Sequence, residues 1–392
     1  MKPAKNLYLN TPQLKAELDR CLNCKNAPCM NACPVNCNPQ EFINYAKQQD
    51  YVESVKTIMR NNPLGQTCGL ICPDKFCMKA CTRSRIDFAI NIPKVQATIL
   101  EKHRQESYCD IPSALNGKKI AVIGAGPAGI AAAAELVKAG YMVDLFEADN
   151  KIGGALNMIP ETRLPHEVLE KDWNFICHKD RANLHLETPQ NPEEMLGRGF
   201  DGVIVATGEP HCLELGIPGE EHCVSFMDYL KHPEKYRTDG RVAVVGGGNV
   251  AADCAFTAHD NGASGVELFV RRRLSDMKIT RSEIFDLMDR QVDFTTMTSP
   301  EKIEEKNGML SLFTRKNHFV EGRLQPLENT CIERPGFSLI VKAIGSYADA
   351  KTDSDKVIYA GDCKHGGSTV VEAIASGREA AARLDKILNN AE

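Results

Sequence analysis

Nine of the 16 cysteines lie between Cys21 and Cys81, in two dense groups. The groups read Cys21-x2-Cys24-x4-Cys29-x3-Cys33-Pro34 and Cys68-x3-Cys72-x4-Cys77-x3-Cys81, with Pro73 directly after Cys72. Thiolates a few residues apart can wrap one soft metal centre, and a proline directly after a ligand cysteine is typical of iron–sulfur sites. Zinc is the alternative, but zinc sites normally use two Cys-x2-Cys pairs and this segment has one. The spacing therefore predicts iron–sulfur chemistry, with Cys37 and the later cysteines as small structural residues of the core.

A second kind of chemistry is indicated by a GxGxxG motif at Gly124, Gly126 and Gly129, between an apolar strand and an alanine-rich segment. Such a turn lets the backbone approach a pyrophosphate, and the helix N-terminus that follows faces its charge. Glu147 ends the next predicted strand, where a carboxylate can accept hydrogen bonds from ribose hydroxyls. A glycine turn that serves packing alone is the alternative. The strand before the motif and the acid after it favour a dinucleotide site.

A variant of this motif, GxGxxA, occurs at Gly246, Gly248 and Ala251, again after an apolar strand. Here the next strand ends at Arg271-Arg272-Arg273 instead of an acid. Arginines in that position suit a 2′-phosphate, which favours NADPH over NADH. The alternative is a solvated basic turn without nucleotide selectivity.

Two such sites in series usually mean a flavin in the first and a nicotinamide in the second. Gly361-Asp362, after a short apolar strand, resembles the late Gly-Asp of two-dinucleotide flavoproteins, whose aspartate binds the ribityl-phosphate region of FAD. Thr369 and Glu372 then begin a predicted helix whose N-terminal dipole could face the flavin ring. The other candidate cofactor-binding residues are Pro127, Ala128, Gly154, Arg163, Gly208, Asn249, Val250, Lys278, Gly345 and Val370. No side chain is predicted to act as a catalytic nucleophile or base.

The elements that must position these residues change in character along the chain. The cysteine-rich part reads as helical: Asn38-Pro39-Gln40-Glu41 has the cap, the proline and the acid of a helix start, and Asn61-Asn62-Pro63 ends a second helical pattern. After it, strands, glycine turns and helices alternate. The fold class is α/β, with an all-α iron–sulfur domain before two Rossmann-like dinucleotide-binding domains of the glutathione-reductase type. The predicted domains are 1–115 for the clusters, 116–210 with 346–392 for FAD, and 211–345 for NAD(P)H.

Composition excludes several classes of protein. The 392 residues include 43% hydrophobic and 25% charged residues, with a net charge of −5, so nothing indicates binding to nucleic acid. The most apolar stretch, 120–137, contains glycines, a proline and a glutamate, which is a core pattern and not a membrane span. The first twenty residues have no apolar segment of the secretory type, so we expect a cytoplasmic protein.

Together these motifs resemble the flavin and iron–sulfur subunits shared by glutamate synthase and dihydropyrimidine dehydrogenase. Besides the cysteine groups and the first glycine motif, the resemblance rests on Asn62-Pro-Leu-Gly-Gln-Thr-Cys-Gly-Leu-Ile-Cys-Pro73, on Ile159-Pro-Glu-Thr-Arg-Leu-Pro165 and on the Gly-Asp segment. Within that group the chain is most similar to the flavin-bearing subunit of the bacterial two-subunit NAD(P)-dependent dihydropyrimidine dehydrogenase.

The resemblance implies a set of cluster ligands. In the dihydropyrimidine dehydrogenase branch a glutamine follows the second cysteine group, and Gln96 stands at the matching place. One [4Fe-4S] cluster would then bind Cys21, Cys24, Cys29 and Cys81, and the other Cys33, Cys72, Cys77 and Gln96. Cys68 would be a neighbour and not a ligand. Without the resemblance, Gln96 would read as an ordinary residue of a helix surface.

The implied function is an electron-input subunit, in which NAD(P)H reduces FAD and two clusters carry electrons to an FMN-containing catalytic partner that reduces uracil or thymine. A glutamate synthase small subunit and the NAD(P)H-oxidising subunit of an electron-bifurcating complex share this design, and Gln96 argues against the first. A thioredoxin-reductase-like enzyme is disfavoured because no Cys-x-x-Cys follows Cys24. A non-catalytic redox sensor built on the same cofactors is an alternative of another class.

Overall fold

The structure, a computed structural model, describes residues 6–104, 114–176, 179–349 and 351–389. The chain divides into two compact units. The first comprises Met1–Asn157, Glu161–Pro210 and Ala348–Glu392, and the second Met158–Pro160 and His211–Tyr347. The division of the chain into three cofactor domains stays a prediction.

The described residues form fourteen α-helices and fifteen strands. The helices are α1 Thr11–Asp19, α2 Pro28–Asn31, α3 Pro39–Lys47, α4 Tyr51–Asn61, α5 Gly65–Ile71, α6 Ile92–His103, α7 Pro127–Lys138, α8 His166–Asn174, α9 Pro192–Met195, α10 Phe226–Lys231, α11 Asn249–Asp260, α12 Arg281–Asp289, α13 Asp362–His365 and α14 Val370–Asn389. The strands are β1 Lys119–Ile123, β2 Met142–Phe146, β3 Ala182–His185, β4 Gly202–Val205, β5 His211–Cys212, β6 Val224–Ser225, β7 Arg241–Val245, β8 Gly265–Val270, β9 Asp293–Thr296, β10 Thr298–Lys306, β11 Met309–Val320, β12 Arg323–Pro326, β13 Ile332–Lys342, β14 Ser346–Tyr347 and β15 Val357–Tyr359.

Residues 6–104 form helices and turns without a strand among them, which confirms the all-α prediction for this part of the chain. Helix α3 begins where expected, because the Asn38 side chain accepts a hydrogen bond from the Glu41 N–H at 3.2 Å and Pro39 occupies the first turn. Gly69 lets α5 lie against α6, since a Cβ at Gly69 would be 2.6 Å from the backbone nitrogen of Ala97. This contact brings α6 alongside the second cysteine group.

The described part of the first unit also contains a parallel five-stranded sheet in the order β15-β4-β1-β2-β3. The ends of parallel strands meet at one edge of a sheet, so the segments after β1, β2, β4 and β15 lie together at its carboxyl edge. Helix α7, buried along almost its whole length, packs between this sheet and α14. A Cβ at Gly377 of α14 would be 2.0 Å from the carbonyl oxygen of Ala128, so the two helices touch backbone to backbone.

The second unit combines parallel and antiparallel strands in the order β10-β11-β13-β7-β8-β9, with β6 paired to β13 and β12 to β11. Strands β13, β7, β8 and β9 are parallel and carry the second glycine turn at their carboxyl edge. Strands β10 to β12 form an antiparallel extension that the sequence analysis missed.

One expectation about the later cysteines is wrong. Cys254 and Cys363 are buried as expected, and Cys212 and Cys223 are half-buried, but Cys331 is exposed. It precedes the first residues of β13, which are exposed because this end of the strand extends beyond the core. Cys109 and Cys177 lie outside the described residues. Within the described ranges, no helix combines the length and the apolar character that crossing a membrane requires.

Candidate functional site

Four cysteines of the two groups meet around one partly open cavity of about 380 Å³ in the helical part of the first unit. Its cysteines are Cys21, Cys24, Cys29 and Cys81, the four that the resemblance assigns to one cluster. All four are free thiols. Burial, with smaller contributions from the nearby Cys21 and Cys81 thiols, raises the pKa of Cys29 to about 11. These thiols therefore lie close enough for their charges to interact.

The remaining cysteines of the two groups surround a second cavity of about 430 Å³. Its polar lining consists of Cys33, Cys37, Asn62, Cys68, Cys72, Cys77 and Gln96. A hydrogen bond with Cys68 is the main reason that the pKa of Cys72 is raised well above its usual value. Burial, then the Cys33 and Cys29 thiols, raises the pKa of Cys77 to about 12. Because Cys29 lines the first cavity, the two cavities are neighbours.

Gln96 of α6 is 7% exposed and its amide has fixed partners. The Nε2 group donates to the carbonyl oxygen of Gly65 at 2.6 Å, and Oε1 accepts a longer hydrogen bond of 3.8 Å from Cys37 Sγ. This leaves the oxygen, the atom able to bind a metal, on the thiol side of the residue. A plain helix-surface role for Gln96 is excluded by its burial.

The chemistry of the two cavities follows from the cysteines that line them. Among the described residues, no three His, Cys, Asp or Glu side chains converge tightly enough to hold a single metal ion. Thiols that form no disulfide and that surround one cavity are the donors that an iron–sulfur cluster requires, and they lose their protons when iron binds. The residues therefore fit iron–sulfur clusters, while the assignment of each ligand stays a prediction.

The three glycines of the first glycine turn have different structural roles. A Cβ at Gly124, where φ is +99°, would lie 2.4 Å from the Ala206 carbonyl oxygen, and a Cβ at Gly129 would lie 1.8 Å from that of Gly124. At Gly126 the nearest atom would be the Gly154 Cα at 4.0 Å, so this residue faces open space. Helix α7 begins there with Pro127 and has no side-chain cap, which leaves its first N–H groups available to an anion.

Glu147 is held beside this turn. Its Oε2 accepts a hydrogen bond from the Ala125 N–H at 2.8 Å, and its Oε1 accepts one from the Asp149 N–H at 2.9 Å. The Ala125 carbonyl oxygen in turn accepts the Gly153 N–H at 2.8 Å, which places Gly154 opposite Gly126. The carboxylate is thus oriented at the end of β2, where the sequence predicts a ribose contact.

Other predicted FAD residues gather at the same edge of the sheet. Gly208 follows β4 with a φ of +73° and open space around it, and Gly361 follows β15 beside Ala128. The Asp362 carboxylate accepts a hydrogen bond of 2.5 Å from the Ser368 hydroxyl, and burial raises its pKa above the usual range. Arg163 is half-buried in a turn before α8.

Helix α14 begins at Val370, as predicted. Thr369 caps it, because the Thr369 hydroxyl oxygen accepts the Glu372 N–H at 3.4 Å, while the Thr369 N–H donates to Glu372 Oε2 at 2.9 Å. The same carboxylate lies 3.6 Å from Lys75 Nζ, between Cys72 and Cys77 in the chain. The start of α14 therefore lies against the second cysteine group.

The second glycine turn repeats the arrangement in the second unit. A Cβ at Gly246 would lie 2.2 Å from the Ala343 carbonyl oxygen, whereas Gly248 has no neighbour within 4 Å of the same position. Asn249 and Val250 are the first residues of α11, again without a side-chain cap, and Ala251 is fully buried. Gly345 follows β13 with a φ of +117°.

The basic residues differ in their contacts. The Lys278 N–H donates to the Gly247 carbonyl oxygen at 3.2 Å, so Lys278 adjoins the turn. Arg271, Arg272 and Lys278 are exposed, and in the described ranges their side chains have no ion-pair partner. Arg273 is engaged instead: its Nε lies 3.1 Å from Asp276 Oδ2 and its guanidinium is 4.7 Å from the Phe319 ring centre.

Two contacts of the first unit were missed by the sequence analysis. Arg378 of α14 donates to the Val35 carbonyl oxygen at 2.9 Å, to Glu135 at 3.1 Å and to Asn61 at 3.3 Å, which ties α14 to the loop after Cys33. Asp172 of α8 is fully buried and pairs with Arg104 at 2.6 Å. Only the unusual place of an acid in an apolar helix face could have indicated Asp172.

Comparisons with known proteins agree with this arrangement. Residues 3–108 match the family model of dihydropyrimidine dehydrogenase domain II, 4Fe-4S cluster, and residues 118–324 match that of pyridine nucleotide-disulphide oxidoreductase. The chain is 29% identical to the NAD-dependent dihydropyrimidine dehydrogenase subunit PreT of Escherichia coli, over 96% of this chain and 94% of PreT. It is 28% identical to the putative oxidoreductase YgfK of the same organism, over 91% of this chain but 38% of YgfK.

Among solved structures, FprA of Mycobacterium tuberculosis in complex with NADPH has a similar fold, with a TM-score of 0.61 and 20% identity over 70% of this chain and 85% of FprA. The oxidoreductase match alone covers more than half of the chain. The chain therefore belongs to the pyridine nucleotide-disulphide oxidoreductase family, as an FAD-dependent NAD(P)H oxidoreductase with an N-terminal 4Fe-4S domain.

Proposed function

We propose that this chain is the electron-input subunit of a hetero-oligomeric enzyme whose partner contains FMN and reduces uracil or thymine. The chain would oxidise NAD(P)H at FAD and deliver electrons through two [4Fe-4S] clusters. FAD accepts two electrons as a hydride and a cluster accepts one, so the flavin converts between the two kinds of carrier. The similarity to PreT, a dihydropyrimidine dehydrogenase subunit by name, supports the pyrimidine substrate.

The proposal rests on the start of helix α14, where a residue that lines the second cysteine cavity is next to predicted flavin contacts. Val371, the second residue of α14, lines the second cysteine cavity, and its neighbours Thr369 and Val370 are predicted flavin contacts. A cluster held by Cys33, Cys72, Cys77 and Gln96 would thus lie beside the flavin. The first cavity adjoins the second on the side of Cys29. This order favours the first cavity as the point at which electrons leave the chain.

The preference for NADPH over NADH can be tested at Arg272, an exposed arginine that has no ion-pair partner in the described ranges. Arg272→Ala is expected to raise the KM for NADPH about tenfold, the loss of one exposed phosphate contact, and to leave the KM for NADH nearly unchanged. Steady-state reduction of menadione with each nucleotide measures this. Arg273→Ala is the matched control, because Asp276 already engages that guanidinium, and it should change neither value. An Arg272 variant with unaltered preference would refute the assignment of NADPH.

The role of Gln96 has its own test. Gln96→Ala is expected to remove or disturb the second cluster alone, so the anoxic protein should contain about half the iron and sulfide of the wild type. Gln40→Ala is the control, because Gln40 lines the first cavity and donates to Asn23 at 2.5 Å but is no predicted ligand. Chemical analysis and electron paramagnetic resonance of the reduced proteins report the result. Two intact cluster signals in the Gln96 variant would contradict its ligand role.

Native anoxic purification tests the function as a whole. We expect an FMN-containing subunit to co-purify in fixed stoichiometry, and the complex to reduce uracil or thymine with NAD(P)H. A large glutamine-using partner, or a multi-subunit bifurcating complex, would overturn the pyrimidine substrate. Bound cofactors without rapid NAD(P)H-dependent dye reduction would overturn the enzymatic role itself and favour a sensor.

A further inference from the structure

Large apolar side chains are exposed in the segments that hold the first cysteine cavity. Phe88 is 81% exposed, Ile86 65% and Leu22 41%. Leu22 lines the cavity between Cys21 and Cys24, and the other two follow Cys81 and the turn Thr82–Arg85. Single exposed apolar residues need no explanation, but three beside one candidate redox site indicate a surface that another molecule covers.

The segment that carries Phe88 is held in place. Arg83 makes two hydrogen bonds with the Asp87 carboxylate, at 2.8 and 2.6 Å. Arg20, which directly precedes Cys21, pairs with Asp87 at 3.1 Å and also donates to the Phe88 carbonyl oxygen. The same guanidinium pairs with Glu17 at 2.8 Å. These contacts fix the loop that carries Phe88. A partner that binds there would therefore lose little free energy to ordering of this loop.

The charge of the same segments differs from that of the whole protein. Residues 20–31 and 79–90 contain five basic residues and one acidic residue, whereas the chain carries a net charge of −5. The acidic residue, Asp87, is already paired with Arg20 and Arg83. Lys25 and Arg85 are exposed and, in the part of the chain that is described, have no ion-pair partner. The apolar side chains thus have a positive rim in an acidic protein.

We propose that Leu22, Ile86 and Phe88, with the cations Lys25 and Arg85, form the docking surface for an electron-accepting protein whose contact face is acidic around an apolar centre. An apolar centre with a charged rim is the usual anatomy of a protein interface, and complementary charge accelerates encounter. The position beside the first cavity brings the acceptor to the site where the proposed function has electrons leave. The inference rests on that function.

The test uses the full chain with its FAD and clusters, separated from any partner, and NADPH as the reductant. It compares three acceptors: cytochrome b5, an acidic one-electron protein; cytochrome c, a basic one; and menadione, a small neutral molecule. We expect wild type to reduce cytochrome b5 with a kcat/KM about tenfold above that for cytochrome c, and the rate to fall as salt is added. Phe88→Ser should lower kcat/KM for cytochrome b5 about tenfold, as truncation of a central aromatic contact does, and leave menadione reduction unchanged.

Two further variants separate the surface from general effects. Phe285→Ser removes a comparably exposed phenylalanine, 64% exposed on α12 of the second unit, and should change none of the rates. Lys25→Glu with Arg85→Glu should reverse the preference between the two cytochromes. The proposed docking surface would be refuted if Phe88→Ser reduced cytochrome b5 as fast as the wild type does. It would also be refuted if the wild type showed no preference for cytochrome b5 over cytochrome c.

Calorimetric titration of cytochrome b5 into the protein reads docking independently of turnover. Binding that is lost in Phe88→Ser but retained in Phe285→Ser supports the surface even if menadione reduction fails and the proposed function falls. Equal binding by both variants overturns it.

Discussion

Gly126→Ala is expected to yield a folded protein that binds FAD more weakly. The backbone at Gly126 has a φ of −79°, which alanine adopts without strain, and a Cβ would meet nothing nearer than the Gly154 Cα at 4.0 Å. In the bound state, however, the methyl group would occupy the space that the turn keeps open for a pyrophosphate. Overpacking of this kind costs roughly 1–3 kcal/mol, so we expect FAD affinity to fall about fivefold to 150-fold.

Gly129→Ala is predicted to destabilise the fold itself, independently of FAD. Its Cβ would lie 1.8 Å from the Gly124 carbonyl oxygen, so β1 and α7 would have to separate whether or not FAD is present. This variant should lose stability in the apoprotein, whereas Gly126→Ala should melt like the wild-type apoprotein. The comparison separates a residue that makes room for a ligand from one that makes room for the fold.

Flavin absorbance of the purified proteins, titration of the apoproteins with FAD and their melting temperatures measure these outcomes. Gly248→Ala is the matched control in the second unit: its φ of −107° also suits alanine, and the same reasoning predicts retained FAD but weakened NAD(P)H binding. An unchanged dissociation constant for FAD in Gly126→Ala would contradict the assignment of the first turn to FAD.

Local features of this chain could be predicted from the sequence because local chemistry determines them. Asn38 caps α3, Thr369 caps α14, and both glycine turns connect a strand to a helix at the predicted residues. Contacts between segments that are far apart in the chain could not be predicted. Arg378 reaches the carbonyl oxygen of Val35, which lies 343 residues away in the chain, and an arginine on a helix has no pattern that names such a partner.

The lining of the cysteine cavities shows the same limit at shorter range. Spacing alone identifies the cysteines as a set, but their division between two cavities depends on how α5, α6 and the loops around α2 pack. Cys37, which lies outside both spacings, lines the second cavity together with Cys68. A residue can thus lie beside a cluster site without belonging to a ligand motif.

Arg104→Met is expected to destabilise the protein by about 3–5 kcal/mol at pH 8, because it leaves the Asp172 carboxylate buried without its counter-charge. Asp172 is fully buried, accepts the Thr67 N–H at 2.8 Å and the Gln66 N–H at 3.3 Å, and pairs with Arg104 at 2.6 Å. Two hydrogen bonds from neutral backbone groups would remain in the variant. They do not replace the cation, so α8 should separate from the helices that it contacts.

The pH dependence follows from the direction of the pKa shift. Burial raises the pKa of Asp172 although Arg104 opposes this, so the folded state holds the proton more tightly than the unfolded chain. The free energy of unfolding therefore falls as pH rises from the unfolded value, near 3.9, to the folded one. Without Arg104 the folded pKa rises further and the window extends upward. The variant should thus lose more stability between pH 5 and pH 8 than the wild type loses.

Urea denaturation at both pH values measures the effect, and the pair Asp172→Asn with Arg104→Met provides the control. Removing both charges leaves a neutral amide that keeps its size, and replacement of a whole buried ion pair is often nearly neutral. The double variant should therefore be more stable than Arg104→Met alone, with a weaker pH dependence. Equal instability of the two proteins at both pH values would show that Arg104 acts through its packing on Phe175, whose ring centre lies 5.1 Å from the guanidinium, and not through its charge.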